Sequence, residues 1–338
     1  IENNSKNLFK KLKLKTSPIK FQLPESNENK PLILIIIDEL APSKEVFKFT
    51  NSEKDFEFDN FLKKQDFILR PNFKSLSQQT KVSLTSMFNF NLKESKWIQD
   101  FEINNNQFST TPEFNVLFKG NLLIDSLSKK GIKSYSFGKV NFNLGSNYNK
   151  DIFYNWENIG FNRFNYLFQE NEIFKSFFKK SILSFIDSKL YTNHPIDFER
   201  KQIFELLSSI SPKKNSFYYF HLDAPHQPFS YFDEFPLIEV NLYEINDDYD
   251  SSKKYENDLY KMSYSKYRRF IIKKVTSILK SEKFKDCKII IVGDHGLRNT
   301  SGFDPFSTIG AFYGFKIEDI MKLNEVQDIG SLINHNFN

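Results

Sequence analysis

The sequence predicts an α/β fold in which helices cover both faces of a mainly parallel central sheet. Short runs of apolar, β-branched residues, such as Leu32–Ile37 and Lys288–Val292, alternate with longer stretches of helical periodicity. A continuous apolar run of this length is typical of a strand that is buried on both faces. Strands that alternate with helices form parallel sheets between two helical layers. Acidic residues follow both runs, which places polar side chains at the carboxyl edge of the sheet.

Further elements are predicted between and around these two strands. Strands are predicted at residues 67–70, 133–137, 216–222 and 308–313. Helices are predicted at residues 44–49, 56–64, 82–88, 121–130, 171–190, 197–209 and 253–280. The polar residues 1–30, rich in Lys and Asn, are predicted to be an extended arm or linker, so that residues 31–338 form the folded domain.

The composition argues against several classes of protein. Apolar residues make up 39% of the 338 residues, which is enough for a buried core and argues against global disorder. The net charge of +5 is spread along the chain, so no nucleic-acid partner is predicted. A single cysteine, Cys287, cannot form an internal disulfide. No apolar run approaches the roughly 20 residues that a membrane-spanning helix needs.

The end of the strand at Lys288–Val292 carries the most specific chemical signal. Gly293 is followed by Asp294, His295 and Gly296, so a carboxylate and an imidazole adjoin on a tight turn. Both side chains can bind one divalent cation there. Mixed oxygen and nitrogen ligands suit zinc or manganese, whereas calcium prefers oxygen alone. The alternative is a turn in which the aspartate merely caps the backbone.

Two other strand ends also present polar groups. Asp38 and Glu39 follow the first strand, where they are either metal ligands or the cap of the next helix. The strand at residues 216–222 leads His221 and His226 toward a loop. Each of these signals is weak alone. Their shared position at strand ends predicts one site at one edge of the sheet.

Thr80 is a candidate nucleophile within the hydroxyl-rich residues 77–86. It is predicted to lie where a helix begins, and the N–H groups and dipole of a helix N-terminus suit a phosphate or sulfate oxyanion. Coordination to a metal would lower the pKa of its hydroxyl and make it a nucleophile. The alternative is an ordinary threonine N-cap.

Taken in order, these segments resemble the alkaline phosphatase and sulfatase superfamily, especially its phosphoethanolamine transferase, lipoteichoic acid synthase and sulfatase-like branches. The matching elements are the apolar strand that ends at Asp38 and Glu39, T-x-x-S from Thr80, H-x-x-x-P-H-x-P-F from His221, and D-H-G from Asp294. They occur in the family's order and span most of the domain.

The resemblance implies roles for individual residues. The implied metal ligands are Asp38 or Glu39, Thr80, Asp294 and His295. The implied contacts to the transferred group or its leaving oxygen are His226 and His221, with Thr80 as nucleophile. Arg298, in the turn after D-H-G, is predicted to bind the oxyanion because its planar guanidinium matches phosphate geometry, although a solvated surface side chain is the alternative.

The sequence also departs from the family. It lacks the C/S-x-P-x-R motif of sulfatases, as well as the disulfides and the later histidine of phosphoethanolamine transferases. We therefore predict transfer or hydrolysis of a phosphoryl-linked group, of the phosphoethanolamine or phosphoglycerol type, on a cell-envelope glycan or phospholipid. The alternatives are a sulfatase-like ester hydrolase and a non-catalytic domain that binds anionic glycans or lipid headgroups.

The predicted location follows from the resemblance as well. The chain begins with Ile1, and the resembling branches hang from membrane helices. We therefore expect a membrane anchor upstream in a longer protein, with this domain on the periplasmic or extracellular face of the cytoplasmic membrane.

Overall fold

A computed structural model describes residues 18–21, 30–92, 121–138, 195–226, 258–298 and 300–337 of the chain. Apart from residues 195–199, these residues belong to one compact unit, which comprises residues 1–143 and 200–338. The helix predicted at residues 171–190 and most of the arm predicted at residues 1–30 lie outside the described residues. The boundary between arm and domain therefore stays a prediction.

The strands of the sheet occur at the places that the sequence indicates. They are β1 (Leu32–Ile37), β2 (Ile68–Lys74), β3 (Lys133–Phe137), β4 (Ser216–Leu222), β5 (Lys288–Val292) and β6 (Ser307–Tyr313). Within the part of the chain that the structure describes, they form one sheet in the order β2-β6-β5-β1-β4-β3. β1 pairs in parallel with β4 and β5, and β3 pairs in parallel with β4. Only β6 among these strands is reversed, since it runs antiparallel to β5 and β2. The predicted α/β fold with a mainly parallel sheet is confirmed.

Helices flank the sheet, and the first six of them match predicted helices closely. They are α1 (Ser43–Thr50), α2 (Glu57–Lys64), α3 (Thr80–Phe88), α4 (Leu122–Lys129), α5 (Pro195–Ser209), α6 (Asp258–Leu279), α7 (Ile317–Met321) and α8 (Ile329–Asn336). α3 begins two residues earlier than predicted, and the first residues of the helix predicted at 253–280 lie outside the described ranges. No described helix combines the length and the apolar character that crossing a lipid bilayer demands.

The centre of the core is β1, whose six residues are all fully buried. This burial explains why the strand is apolar without interruption, because each of its faces packs against protein. Aromatic rings also stack between β3 and β4, which pair in parallel. Tyr135 lies 4.9 Å from Tyr218 and Phe137 lies 4.6 Å from Phe220, between ring centroids. These pairs fix the register of β3 against β4.

A short piece of the predicted arm packs against the last helix. The amide of Ile19 donates to Ser331 Oγ at 3.3 Å, and the ring of Phe21 stacks on His335 with 5.1 Å between centroids. The ammonium of Lys322 lies 5.5 Å from the centroid of the Phe21 ring. Residues 18–21 are thus in contact with α8.

Candidate metal centre and nucleophile

The carboxyl ends of β4, β1 and β5 lie side by side because β1 is hydrogen-bonded to both other strands. Ile37 pairs with Leu222, and the amide of Asp38 extends this ladder by donating to the Leu222 carbonyl at 3.0 Å. Asp38, His221 and Asp294 meet at this edge, and their possible ligand atoms lie within 4.8 Å of one another. All three side chains are buried. The sheet therefore gathers three candidate ligands from distant parts of the sequence.

Thr80 lies at the same edge, on the first residue of α3. Its hydroxyl is 3.3 Å from Asp38 Oδ1 and 3.2 Å from His295 Nε2. Gln79 occupies the N-cap position of α3, so Thr80 is not the cap that the alternative interpretation required. The first N–H groups of a helix lack intrahelical partners and form the positive end of its dipole. This arrangement favours negative charge at the Thr80 hydroxyl.

The T-x-x-S spacing has a structural cause. Residues three apart on a helix share a face, so Ser83 projects toward the same edge of the sheet as Thr80. Ser83 Oγ donates to the backbone carbonyl of Asp294 at 2.7 Å. Helix α3 is thereby tied to the turn that carries Asp294 and His295. The sequence predicted no role for Ser83, although its spacing from Thr80 held the signal.

Two glycines allow the D-H turn to approach β6 and the loop before it. A Cβ atom at Gly293 would lie 2.0 Å from Thr308 Oγ1, and one at Gly296 would lie 2.3 Å from the Ser307 carbonyl oxygen. Real Cβ atoms do not come this close to other heavy atoms, so any side chain would push the turn away. The glycines of the motif are required for this close contact.

The Gly296 carbonyl fixes the tautomer of His295. His295 Nδ1 lies 2.8 Å from this oxygen, which can only accept, so Nδ1 carries the hydrogen and Nε2 has a free lone pair. Nε2 faces Thr80 and Asp38, the latter at 3.5 Å. Burial, followed by the charge of Arg298, lowers the pKa of His295 to about 4. The ring is therefore neutral at pH 7 and offers Nε2 as a ligand or proton acceptor.

Asp294 is poised to gain from a bound cation. Its Oδ1 accepts from the amides of His295 and Glu39 at 2.9 and 3.3 Å, and its Oδ2 lies 3.4 Å from His295 Nε2. Burial, together with the negative charge of Asp38, raises the pKa of Asp294 to about 8. Without a compensating positive charge, this carboxyl group keeps its proton at neutral pH.

The donor set fits a divalent metal. Neither ring nitrogen of His221 has a hydrogen-bond partner among the described residues, although the side chain is only 1% exposed. A buried polar group without a partner is costly, and a cation would satisfy it. Two carboxylates, two imidazoles and a hydroxyl form a set that suits zinc or manganese. His221, for which the motif resemblance implies a contact with the transferred group, lies beside Asp38 and Asp294.

The two adjacent acids have different surroundings. Asp38 faces Thr80, while Glu39 Oε1 accepts from Arg298 Nε at 2.6 Å. Burial alone would raise the pKa of Glu39, but Arg298, with smaller effects of nearby histidines, holds it below its ordinary value. The Arg298 side chain is 20% exposed, so it is not a solvated surface group. The guanidinium predicted to bind an oxyanion thus lies at the rim of the site, anchored by Glu39.

Helix α6 holds the backbone between the two acids and α1. The Tyr264 hydroxyl donates to the Glu39 carbonyl at 2.6 Å and accepts from the Ala41 amide at 2.9 Å. Arg268 Nε donates to the Ala41 carbonyl at 3.2 Å. Glu39 has a φ of 55°, a left-handed conformation that these bonds stabilise. No sequence signal pointed to Tyr264 or Arg268, because their role depends on a contact between distant segments.

His226 lies at the end of the described loop after β4 and is half-buried. Its carbonyl accepts from Arg200 Nη2 at 2.7 Å, and the carbonyl of Asp223 accepts from Arg200 Nε at 2.5 Å. A buried arginine of α5 therefore positions this loop. The remainder of the H-x-x-x-P-H-x-P-F motif lies outside the described residues. The predicted contact of His226 with the transferred group stays a prediction.

No protein-family model and no curated protein matches the chain. Among solved structures, the C-terminal periplasmic domain of EptC from Escherichia coli in complex with Zn is similar, with 14% identity and a TM-score of 0.47. That match covers 94% of this chain and 84% of the other.

Two further solved structures are similar at comparable levels. The soluble domain of lipooligosaccharide phosphoethanolamine transferase A from Neisseria meningitidis matches with 13% identity, a TM-score of 0.47 and coverage of 96% of this chain and 91% of the other. The lipoteichoic acid synthase LtaP from Listeria monocytogenes matches with 13% identity, a TM-score of 0.46 and coverage of 92% and 72%. At these identities and TM-scores, the matches assign neither a family nor an activity to this chain.

Proposed function

We propose that this chain is a metal-dependent phosphotransferase or hydrolase that moves a phosphoryl-linked group by way of Thr80. The observation that carries the proposal is the position of the Thr80 hydroxyl. It lies at the N-terminus of α3, within 3.3 Å of Asp38 Oδ1 and 3.2 Å of His295 Nε2. A nucleophile, a dipole that favours an oxyanion, and a set of metal ligands therefore coincide.

The chain's own residues account for the first half of the reaction. Thr80 Oγ1 lies 3.2 Å from His295 Nε2 and donates to Asp38 Oδ1, and the Asp38 carboxylate can accept its proton. A new bond forms between Thr80 Oγ1 and phosphorus, and the bond from phosphorus to the leaving alcohol oxygen breaks. Half-buried His226 is assigned to the leaving oxygen, to which it gives a proton as that bond breaks. The Arg298 guanidinium at the rim is assigned to the non-bridging oxygens.

The second half of the reaction regenerates Thr80. A water molecule or an acceptor hydroxyl attacks phosphorus and gives its proton to His226. The bond to Thr80 Oγ1 breaks, and Thr80 recovers the proton that Asp38 had accepted. Covalent catalysis of this type gives ping-pong kinetics. A bound zinc or manganese ion would supply positive charge that favours the ionised hydroxyl and offsets charge on the phosphoryl oxygens. We assign Asp38, Asp294, His295, His221 and Thr80 to hold it.

The substrate class and location rest on the motif resemblance. We propose a phospholipid donor of the phosphoethanolamine or phosphoglycerol type and a cell-envelope glycan or lipid acceptor. We also propose that the domain works on the outer face of the cytoplasmic membrane, next to an anchor in a longer protein.

Intact-mass spectrometry tests the proposal. The purified chain would be incubated with zinc or manganese and with phosphatidylethanolamine or phosphatidylglycerol vesicles. We expect a mass adduct of the transferred headgroup on Thr80, and its loss in Thr80→Ala. The matched control is Thr85→Ala, which removes a buried threonine from the same helix away from the cluster and should retain the adduct.

Other outcomes would identify the alternatives. Cleavage of an aryl sulfate in preference to an aryl phosphodiester would indicate a sulfatase-like hydrolase. A folded protein that binds neither metal, forms no adduct and is unaffected by Thr80→Ala would indicate a non-catalytic binding domain.

A further inference from the structure

The structure contains a buried glutamine that reaches the site without touching it. Gln327 lies in the 3-10 turn Val326–Asp328 and is fully buried. Its side chain contacts two segments that are distant in sequence, namely the loop before α3 and the first turns of α3. No motif in the sequence pointed to this residue.

The orientation of the Gln327 amide is fixed by its partners. The Leu76 amide donates to Gln327 Oε1 at 2.9 Å, and a backbone N–H can only donate, so this atom is the oxygen. Nε2 therefore faces the other way. It donates to Ser83 Oγ at 2.7 Å and to Ser75 Oγ at 3.2 Å.

The direction of the next hydrogen bond is fixed in the same way. Ser83 has one hydroxyl hydrogen, and it points to the Asp294 carbonyl oxygen at 2.7 Å, which can only accept. Ser83 Oγ must therefore accept from Gln327. The chain of hydrogen bonds runs in one direction, from Gln327 Nε2 through Ser83 Oγ to the Asp294 carbonyl. We call these three groups the Gln327 relay.

The Gln327 relay joins α3 to the turn that contacts the Thr80 hydroxyl. Ser83 is one turn after Thr80 on the same face of α3, and Asp294 adjoins His295, the residue that contacts the Thr80 hydroxyl at 3.2 Å. We propose that Gln327, acting through Ser83, is a positioning residue that holds the Thr80 hydroxyl against the Asp294-His295 turn. This inference rests on the proposed function of Thr80.

The isosteric substitution Gln327→Glu reverses the relay. One carboxylate oxygen can still accept from Leu76, and the other, once the carboxyl group has lost its proton, can only accept from Ser83. The Ser83 hydrogen then turns away from the Asp294 carbonyl, and α3 loses its tie to the turn. A displacement of about 1 Å in a catalytic group can reduce turnover by about 100-fold. We expect kcat to fall about 10- to 100-fold in Gln327→Glu and in Ser83→Ala, with KM changed less than about twofold.

Matched controls separate positioning from folding. Gln202→Glu places a carboxylate at another buried glutamine. Ser86→Ala removes another buried hydroxyl from the same face of α3, one that accepts from the Leu92 amide and not from Gln327. Both controls should keep kcat near that of the wild type. The double variant Gln327→Glu with Ser83→Ala should lose no more than about the larger single effect, because both changes break one relay.

A second readout does not depend on activity. In a crystal structure of metal-free Gln327→Glu, we expect the distance from Thr80 Oγ1 to His295 Nε2 to lengthen beyond hydrogen-bonding range. If that distance and kcat both stay at the wild-type values, the proposal is wrong. If the wild type forms no adduct but the distance lengthens, the positioning role stands and the proposed function of Thr80 fails. A shift in unfolding temperature without a change in either readout would make Gln327 a purely structural residue.

Discussion

At the scale of single residues, Asp38 and Glu39 show how adjacent identical functional groups acquire different roles. The sequence could not distinguish them, since both acids follow the same strand. The left-handed φ of 55° at Glu39 turns its side chain toward Arg298, while Asp38 stays in line with β1 and faces Thr80. A backbone angle, set by the Tyr264 hydroxyl on the Glu39 carbonyl, makes the distinction.

This difference predicts unequal effects on metal affinity. We expect Asp38→Asn to weaken zinc binding by at least about tenfold, because it removes a charged ligand that faces the cluster. Glu39→Gln removes an equal charge that is already paired with Arg298, so its effect should be smaller. Isothermal titration calorimetry on both variants measures the two affinities. Equal losses of zinc affinity would indicate that both acids bind the metal. A larger loss in Glu39→Gln would indicate that Glu39 is the ligand.

The buried ionisable groups predict how the stability of the metal-free protein depends on pH. Asp294, with its pKa raised to about 8, binds a proton in the folded state that the unfolded state has already released above about pH 4. His295, with its pKa lowered from 6.5 to about 4, has the opposite effect between those values. The two effects offset each other below pH 6.5, and only that of Asp294 remains above it.

We therefore expect the free energy of unfolding of the metal-free protein to fall between about pH 6.5 and pH 8. Urea unfolding at several pH values, with a chelator present, measures this slope. Asp294→Asn should flatten it, because asparagine does not titrate. A slope of opposite sign in the wild type would contradict the buried, protonated state of Asp294.

At the scale of helices and strands, close packing of α8 against α3 positions the helix that carries Thr80. A Cβ atom at Gly330 would lie 2.0 Å from the Met87 carbonyl oxygen. Alanine normally stabilises a helix by about 1 kcal/mol relative to glycine. Here the clash should reverse the sign, and we expect Gly330→Ala to lower the free energy of unfolding by about 1–3 kcal/mol.

Denaturant unfolding of two variants checks this sign. Gly302→Ala serves as the control, because its added methyl group meets no atom within 4 Å although its φ is +86°. Its cost should be only the strain of a left-handed alanine, about 1 kcal/mol. If Gly330→Ala raised the free energy of unfolding, α8 would be able to move away from α3 without destabilising the protein.

The elements themselves were largely predictable, and the exceptions have physical causes. Continuous apolar runs gave β1 and β5 their observed bounds, because a strand buried on both faces tolerates no polar interruption. β2 extends to Lys74, whereas the predicted strand ended at residue 70. The prediction ended early because Pro71 and Asn72 interrupt the apolar pattern, at the point where the pairing of β2 with β6 has an irregular register. The reversed direction of β6 could not be predicted from the sequence, because an apolar run does not indicate in which direction its strand pairs with its neighbours.

At the scale of the whole molecule, strand order decides which residues meet. The motifs predicted that acidic and imidazole groups lie at strand ends, and the order β5-β1-β4 places those ends next to one another. Residues that act between segments were not predictable. Gln327, Tyr264 and Arg200 each bond backbone or side chains far away in sequence, and one sequence alone holds no record of such pairs.

Because the candidate ligands come together only in the folded protein, metal binding should stabilise the whole fold. We expect zinc at about 100 times its dissociation constant to stabilise the wild-type protein by about 2.7 kcal/mol, because a ligand that binds only the folded state shifts the equilibrium by mass action. Differential scanning calorimetry with and without zinc measures the effect. Calcium should act more weakly, since it prefers oxygen ligands alone.

The ligand substitution His221→Ala provides the comparison. It removes an imidazole whose ring nitrogens have no hydrogen-bond partner among the described residues. Because this side chain is buried, the metal-free variant should lose some stability through the cavity that alanine leaves. The stabilisation that zinc gives should be smaller in His221→Ala than in the wild-type protein. An undiminished rise would locate zinc elsewhere on the molecule.

The spacing of the clustered side chains along the polypeptide has a consequence for biosynthesis. Asp38 is synthesised first, Thr80 and His221 follow it in that order, and Asp294 is synthesised last of the four. A nascent or prematurely terminated chain cannot complete the donor set, whatever secondary structure it has gained. Capture of a cation would therefore mark polypeptides that are both full-length through D-H-G and correctly paired at the central strand.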